Sequence, residues 1–410
     1  MQNDLKMGKT LRLYQAFQIF FSLLLWVPVF FEYQQRMGVS TSDIFKIQSF
    51  YYLAFCIFEL PTGWAADRWG YRTCMIWGAF VLVLANSSAG AWTSMWGFLF
   101  HFTGVALARS LISGASSAYL YALLSQVSAT DRYAEIEGRA RAWGLAARML
   151  GWASVGWMMQ WQVRLPYVLT AGFALLAGLC AVLLPRIEES HLKRKILSGI
   201  GWRDLFRVVV AFRYSSALLL ASLQGLALFV LSRLCMVNLF QPILLGKGVA
   251  TVSHGFWMSV LTLFEATGSA YPRAWVPTGW LLSRANLLWG MTLVFGVSVV
   301  GMAMGNAAAA LISLCVFSWA TGVAYPVQKQ AMNEAITENL ELAPFRALVL
   351  SCESLFDRAI CAGIAAGMGY WIESGRLSDF LVIAGSLTLC FALLGMATIG
   401  VRKLNFLRRI

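Results

Sequence analysis

Long apolar runs with almost no charged residues recur along the whole of this 410-residue chain. Runs such as 168–184 and 381–401 approach the length of about 20 apolar residues that a helix needs to cross a hydrocarbon core. Only 12% of the residues are charged, against about 25% in soluble domains. The runs are continuous and do not alternate in short segments, which favours helices over a transmembrane β-barrel. The sequence therefore predicts an all-α integral membrane protein.

The apolar runs predict twelve transmembrane helices. No small-residue cleavage site follows the first run, so we expect that run to remain as a span and not to be removed as a signal peptide. The predicted spans are 11–32, 43–66, 73–91, 96–124, 137–160, 166–185, 215–240, 254–276, 285–304, 306–328, 346–370 and 378–400.

The longest polar stretch, 186–213, has six predicted spans on each side. We interpret it as a cytoplasmic linker between an N-terminal six-helix bundle, 1–185, and a C-terminal one, 214–410. An internal repeat supports this division, because Pro-Thr-Gly-Trp-Ala-Ala-Asp-Arg at 61–68 recurs 216 residues later as Pro-Thr-Gly-Trp-Leu-Leu-Ser-Arg at 277–284. Two halves related by parallel repeats are typical of secondary transporters.

The basic residues predict the orientation of the chain. With the N-terminus inside, the cytoplasmic segments hold 23 of the 32 lysines and arginines and the outer segments hold five. This is the pattern that the positive-inside rule describes, and it places both termini in the cytoplasm. The net charge of +13 is then explained by the basic residues that orient the chain in the membrane. We therefore expect lipid partners and no nucleic-acid partner. We expect a multi-pass protein of a cell membrane, the bacterial inner membrane in particular.

The segment after the second span carries a short motif. Gly63, Asp67, Arg68 and Gly70 match Gly-x-x-x-Asp-Arg-x-Gly, and Tyr71 and Arg72 stand where two basic residues usually follow. With the twelve spans and the repeat, the chain resembles the major facilitator superfamily. The resemblance implies two pseudo-symmetric six-helix bundles that work by alternating access.

The resemblance also implies a gating latch made of Gly63, Asp67, Arg68, Gly70 and Arg72, which we expect on a very short loop. In the second copy Ser283 replaces the aspartate, so we expect the latch in the N-terminal half. Arg109 corresponds to the arginine that the family carries on its fourth helix, although Gly114 follows it one residue out of register. The Gly-Pro motif of family antiporters is absent from the fifth span.

Ionisable side chains inside spans are functional hypotheses, because each costs about 2.5–3.5 kcal/mol to insert. We expect Glu265, Asp357, Arg109 and Arg148 to face a central cavity, with the two acids carrying protons because burial favours an uncharged carboxyl. The alternative is a buried acid–arginine pair that only holds helices together. Adjacent Asp357 and Arg358 point about 100° apart and should have different partners. The intramembrane set is Glu32, Glu59, Arg109, Arg148, Arg233, Glu265, Glu353, Asp357 and Arg358.

Aromatic and amide side chains in the spans are candidates for lining an amphipathic cavity. They are Tyr14, Gln18, Tyr119, Tyr121, Trp143, Gln224, Trp257 and Tyr325. His254 and Met258, one helical turn apart, and Met236 could instead bind copper. Packing explains these three residues better, and the eight cysteines form no C-x-x-C pair, so we predict neither a metal site nor a cofactor.

These features together predict a secondary transporter and not an enzyme, since no nucleotide-binding or hydrolase motif occurs. The favoured function is proton-coupled efflux, by a monomer, of a lipophilic or amphipathic small molecule such as a drug, a natural product or a siderophore. The alternatives are an importer of a nutrient or a metal such as copper, and a scaffold or lipid flippase that transports no soluble substrate.

Overall fold

The computed structural model describes residues 2–113, 115–129, 132–187, 216–270, 284–338 and 346–407, and within these ranges it contains helices and no strand. Fifteen α-helices are assigned there. They are α1 Gln2–Ser22, α2 Phe30–Arg36, α3 Thr41–Trp69, α4 Tyr71–Ala91, α5 Met95–Ser113, α6 Ala115–Ser125, α7 Tyr133–Trp161, α8 Leu165–Leu183, α9 Ser216–Arg233, α10 Phe240–Gly246, α11 His254–Ala270, α12 Arg284–Met304, α13 Ala307–Glu338, α14 Arg346–Glu373 and α15 Leu377–Leu407.

The predicted all-α membrane fold is confirmed. Among the described residues, seven helical segments are long and apolar enough to cross a membrane, and an eighth is added if the bent segment formed by α9 and α10 is one span. The other long helices are less apolar, and α14 illustrates why, since Glu353, Asp357 and Arg358 all lie on it. The predicted number of twelve spans is consistent with the arrangement of these helices.

The chain divides into two compact units. The N-terminal unit comprises Met1–Gly199 with Thr251–Ser259 and Ala362–Ala366, and the C-terminal unit comprises Ile200–Ala250, Val260–Cys361 and Gly367–Ile410. The main division falls within the predicted linker, most of which lies outside the described residues.

The N-terminal unit is built around α4, which packs against α5 and α8, while α1 packs against α7 and α8. Its core is apolar, with Tyr14 and Phe17 of α1 fully buried beside Met75 of α4 and Leu120 of α6. In the C-terminal unit, α12 packs against α13 and α15, and α9 packs against α13. Ring contacts join these helices, for example Phe295 with Phe317 at 4.9 Å between centroids.

The first predicted span of the N-terminal unit is not one continuous helix. α1 ends at Ser22 and α2 begins at Phe30, which leaves backbone groups without helical partners. Two side chains from other helices supply partners for them: the Leu25 amide donates to Thr170 Oγ1 at 3.0 Å, and Trp152 Nε1 donates to the Leu24 carbonyl at 2.8 Å. A break inside a membrane is tolerated where neighbouring helices satisfy the freed groups in this way.

The first helix of the C-terminal unit is also interrupted. α9 ends at Arg233, a π-helical turn covers Leu234–Asn238, and α10 follows from Phe240. The segments before and after this turn are bent by 54°. This π-helical turn interrupts the predicted span 215–240, and single turns of this kind inside helices are frequent at functional sites.

The short loop predicted around Asp67 is reduced to one residue. α3 continues to Trp69 and α4 begins at Tyr71, so Asp67 and Arg68 lie in the last turn of α3 and Arg72 lies in the first turn of α4. Gly70 alone connects the two helices, with a φ of 88° that side-chain-bearing residues rarely adopt. The second copy of the motif, with Ser283, lies outside the described residues apart from Arg284 at the start of α12.

Candidate functional site

Two buried carboxylates lie one helical turn apart on α14 of the C-terminal unit. Glu353 and Asp357 are four residues apart, so they share one face of the helix. Each is only 2% exposed. Buried carboxylates require partners, and the partners here come from two other helices of the same unit, α9 and α13.

Glu353 is bound through both of its oxygens. Lys329 Nζ donates to Oε2 at 2.8 Å and Gln328 Nε2 donates to Oε1 at 2.7 Å, both from α13. The Lys329 ammonium also lies 4.7 Å from the centroid of the Phe229 ring on α9. The predicted span 306–328 ends just before Lys329, whereas α13 continues to Glu338, so Lys329 forms its ion pair within a helix.

Asp357 is bound through one oxygen. Arg233 Nη2 donates to Oδ2 at 3.0 Å, while the buried Oδ1 has no hydrogen-bond partner in the part of the chain that the structure describes. Arg233 is the last residue of α9, directly before the π-helical turn, and its side chain is 33% exposed. The pair thus joins a buried acid on α14 to a more accessible cation at the point where the first helix of the unit changes course.

The helices that carry these pairs cross closely at Gly225 of α9. A Cβ atom there would lie 2.6 Å from Glu353 Oε1 and still closer to Gln328 Nε2, so any larger residue would collide with the Glu353 cluster. Buried Gln224 precedes this glycine, and the Phe229 ring meets Tyr325 of α13 edge-on at 5.6 Å. We call Gly225, Phe229, Arg233, Gln328, Lys329, Glu353 and Asp357 the acidic cluster of the C-terminal unit.

The N-terminal unit holds a carboxylate in a different environment. Glu137 of α7 accepts a hydrogen bond from the Tyr14 hydroxyl of α1 at 2.7 Å and one from the Ser117 hydroxyl of α6 at 3.4 Å. Gln18 Nε2 in turn donates to the Tyr14 hydroxyl at 2.9 Å. Among the described residues, no ion pair reaches Glu137, so only neutral donors hold it.

The structure brings only some of the predicted intramembrane charges together. Asp357 pairs with Arg233, while Arg358 is half-buried on the same helix. Glu265 is exposed on α11 of the C-terminal unit.

In the N-terminal unit, Arg109 of α5 is exposed, and the Arg148 guanidinium lies 5.1 Å from the Trp152 ring. Glu32 pairs with Arg36 at 2.9 Å near the end of α2, as expected for a residue at the edge of a span.

The predicted cavity residues fall into different environments. Tyr14 and Tyr119 stack with centroids 6.5 Å apart inside the core of the N-terminal unit. Gln18 and Trp257 are half-buried, and Tyr121, Trp143 and Tyr325 are exposed.

The predicted latch residues surround the α3–α4 junction. Gly63 is exposed, the Arg68 guanidinium lies 5.1 Å from the Trp64 ring, and an amino group of Arg72 donates to the Val182 carbonyl at the end of α8. Glu59 is half-buried on α3, and the Asp67 side chain lies outside what the structure describes.

The residues considered for copper are buried in packed surroundings. His254 and Met258 of α11 are 0% and 5% exposed, and Met236 Sδ accepts a hydrogen bond from Ser318. Within the described ranges, no group of three or more histidine, cysteine or acidic side chains is arranged to hold a metal ion, and no two of the eight cysteines form a disulfide.

Sequence reasoning included Glu353 among the intramembrane charges but missed its cluster with Lys329. The spacing of Glu353 and Asp357 was a usable signal, since acids at positions i and i+4 face the same neighbours. Nothing in the linear sequence marked Lys329, which follows an apolar run and has the pattern of a loop residue.

The sequence and fold were compared with known proteins. The family model described as Major Facilitator Superfamily matches residues 13–345. The "Uncharacterized MFS-type transporter YcaD" of Escherichia coli O9:H4 is 25% identical over 325 residues, which cover 76% of each chain.

Solved structures share the fold at low sequence identity. The nucleoside transporter NupG has a TM-score of 0.72 at 16% identity, covering 95% of this chain and 98% of that one. The D-xylose-proton symporter has a TM-score of 0.69 at 11% identity, covering 95% and 96%. The match over more than half of the sequence, together with this all-helical fold, shows that the chain belongs to the major facilitator superfamily of secondary transporters and is not an enzyme.

Proposed function

We propose that this protein transports a small organic molecule in exchange for protons, and that Asp357 is the residue that takes up and releases the proton. The observation that carries this proposal is the asymmetry at Asp357, where Oδ2 binds Arg233 and the buried Oδ1 has no hydrogen-bond partner among the described residues. A buried carboxylate whose second oxygen is not occupied by a described partner has room to hold a proton there.

Arg233 is proposed to compete with the proton. While Asp357 is ionised, the guanidinium compensates its charge, because an unpaired charge in this environment is strongly unfavourable. When Asp357 is protonated, the attraction weakens and Arg233 is free to move toward its exposed side. Arg233 precedes the π-helical turn, so its release would loosen the bend in the first helix of the C-terminal unit and link proton binding to alternating access.

Glu353 is proposed to have a structural role at the same site. Both of its oxygens are occupied by Gln328 and Lys329, and it is nearly inaccessible. A fixed ion pair one turn away keeps α13 and α14 in register while Asp357 exchanges partners.

For the substrate, we propose a lipophilic or amphipathic molecule that is exported from the cytoplasm across the bacterial inner membrane, with both termini of the transporter on the cytoplasmic side. The aromatic side chains of Tyr121, Trp143 and Tyr325, which are exposed on their own units, support this substrate class because their rings bind apolar surfaces. The mostly apolar composition of the spans supports it as well.

Import of a polar nutrient together with protons is the second candidate. Two proteins with a similar fold are titled nucleoside transporter and D-xylose-proton symporter. Asp357 would be the proton site in an importer as well. The two candidate functions therefore differ in the substrate and in the direction of transport, and they share the role of Asp357.

The test measures transport in cells and in vesicles. Cells without their own drug exporters, expressing the full chain, are loaded with tetraphenylphosphonium or ethidium, and their efflux is followed with and without a protonophore. Uptake of uridine and D-xylose is measured in parallel. Proton-dependent efflux that is lost in Asp357→Asn and in Arg233→Gln supports export, whereas proton-dependent uptake lost in the same variants supports import.

The matched control is Asp379→Asn. Asp379 pairs with Arg376 at 2.9 Å, but both side chains are more than half exposed, so this pair is a surface counterpart of the buried one. We expect unchanged transport in this variant. Wild-type proton-dependent transport by a well-folded Asp357→Asn protein, verified by size-exclusion chromatography, would refute the proposed role of Asp357.

A further inference from the structure

A cavity of about 300 Å³ lies in the N-terminal unit beside the α3–α4 junction. This volume is at the lower end of the range found for small-molecule sites. It is lined by Trp69, Gly70, Tyr71, Arg72, Thr73, Tyr119, Arg186 and Ile187. The cavity is distinct from the acidic cluster of the C-terminal unit and does not depend on the function proposed above.

Two guanidinium groups give this cavity its charge. Arg72 comes from the first turn of α4 and Arg186 from the segment that follows α8. Arg72 uses one amino group to bind the Val182 carbonyl, and its buried Nε has no hydrogen-bond partner within the described ranges. Arg186 is exposed and forms no ion pair with any described residue.

The described lining contains no acidic side chain that would neutralise the two arginines. The Tyr119 hydroxyl is already fixed, because it donates to the Pro185 carbonyl at 2.9 Å next to Arg186. This bond holds the segment after α8 against α6 and thereby fixes the wall from which Arg186 extends. The aromatic residues Trp69 and Tyr71 complete the lining.

We propose that this cavity is a binding site for a phosphate-bearing anion, held between Arg72 and Arg186. Guanidinium groups present planar pairs of N–H donors that match phosphate oxygens, and such charge-assisted bonds are stronger than neutral ones. The first turn of α4, with Tyr71 and Thr73, borders the same space, and the positive end of the helix dipole adds to its potential.

The phosphate can come from two sources. One is the headgroup of an anionic phospholipid, since the cavity lies where a helix pair ends and our predicted topology places this end at the cytoplasmic face. The other is a soluble phosphate compound from the cytoplasm. In either case the anion would connect α4 to the segment after α8 and so stiffen the region that contains the predicted latch.

The test uses the full chain, delipidated in a non-ionic detergent. Dioleoylphosphatidylglycerol binding is measured by native mass spectrometry, inorganic phosphate binding is measured by calorimetry, and competition between the two is then followed. We expect Arg186→Gln to weaken binding about tenfold and the double variant Arg72→Gln/Arg186→Gln to weaken it further. Since Arg186 forms no ion pair among the described residues, its substitution should not disturb folding.

Arg164→Gln is the matched control, because Arg164 is an exposed arginine that caps the opposite end of α8. Binding of the lipid alone identifies a headgroup site, and displacement of the lipid by inorganic phosphate identifies a site that also accepts soluble phosphate. The proposal is overturned if the wild-type chain binds neither ligand, if Arg186→Gln binds as the wild type does, or if Arg164→Gln weakens binding equally.

Discussion

The two units hold carboxylates by different chemistry, and that of the N-terminal unit is half-buried. In the N-terminal unit, Glu137 is bound by the hydroxyls of Tyr14 and Ser117, and in the C-terminal unit Glu353 and Asp357 are bound by Lys329 and Arg233. Neutral donors hold a carboxylate without a second charge to compensate. An ion pair, in contrast, leaves an uncompensated charge whenever its partner moves away or is neutralised.

The interruption of the first helix shows the same contrast. In the N-terminal unit the break after Ser22 is satisfied by Thr170 and Trp152, which fix the chain from α8 and α7. In the C-terminal unit the chain continues through a π-helical turn next to Arg233. The comparison suggests that the N-terminal unit is the more rigid framework and that the C-terminal unit carries the exchangeable charges.

The largest effect should come from removing the cation of the fixed ion pair. Lys329→Met leaves Glu353 buried without a counter-charge, which should cost about 3–5 kcal/mol of stability. Thermal unfolding of the purified chain in detergent measures this loss. Lys46→Met, which removes an exposed pair with Asp43, is the control and should change stability by less than about 1 kcal/mol. Equal effects of the two substitutions would contradict the distinction between buried and exposed pairs.

A smaller effect is expected from filling the crossing at Gly225. Gly225→Ala places a methyl group against Glu353 and Gln328 and should destabilise the chain by about 1–3 kcal/mol. Gly363→Ala on α14 is the matched control, since a Cβ atom there meets nothing within 4 Å. The measurement compares the unfolding temperatures of both variants with that of the wild type. An unchanged unfolding temperature for Gly225→Ala would mean that the helices do not cross as closely as described.

The break in the first helix of the N-terminal unit can be tested through Trp152. Trp152→Phe removes the donor to the Leu24 carbonyl while keeping an aromatic ring, and an unsatisfied buried acceptor costs about 1–3 kcal/mol. Trp161→Phe is the control, because Trp161 is 87% exposed. If both variants unfold at the wild-type temperature, the break does not need this hydrogen bond.

The smallest effect belongs to the neutral cluster. Tyr14→Phe removes the hydroxyl that donates to Glu137 and should cost about 1 kcal/mol. Transport should keep the pH dependence of the wild type, because the proposed proton site is in the other unit. A shifted pH profile in this variant would show that Glu137 also titrates during transport, and the contrast between the units would then fail.

Hydropathy was sufficient to predict the fold class and the position of most helices, because insertion into a membrane is governed by the composition of single segments. It could not reveal the break after Ser22, since the groups that satisfy it, Trp152 and Thr170, are more than 120 residues away in the sequence. The pairing of Arg233 with Asp357 was hidden for the same reason. The predicted span 306–328 ended before Lys329, because the sequence around a charge at the end of an apolar run is the same whether the charge faces water or a buried acid.

Gly70 has a mechanical consequence. A single residue spans about 3.8 Å between successive Cα atoms, so this joint between α3 and α4 has no slack to absorb a rotation of either helix. A rotation of one helix must therefore rotate the other, and the two helices move together as a rigid lever. The weakest point along that lever is Pro61, nine residues earlier in α3, where the helix lacks one backbone donor. Bending should therefore occur at the proline, within the helix, and the end of the lever that contains Asp67 and Arg72 should move as one piece.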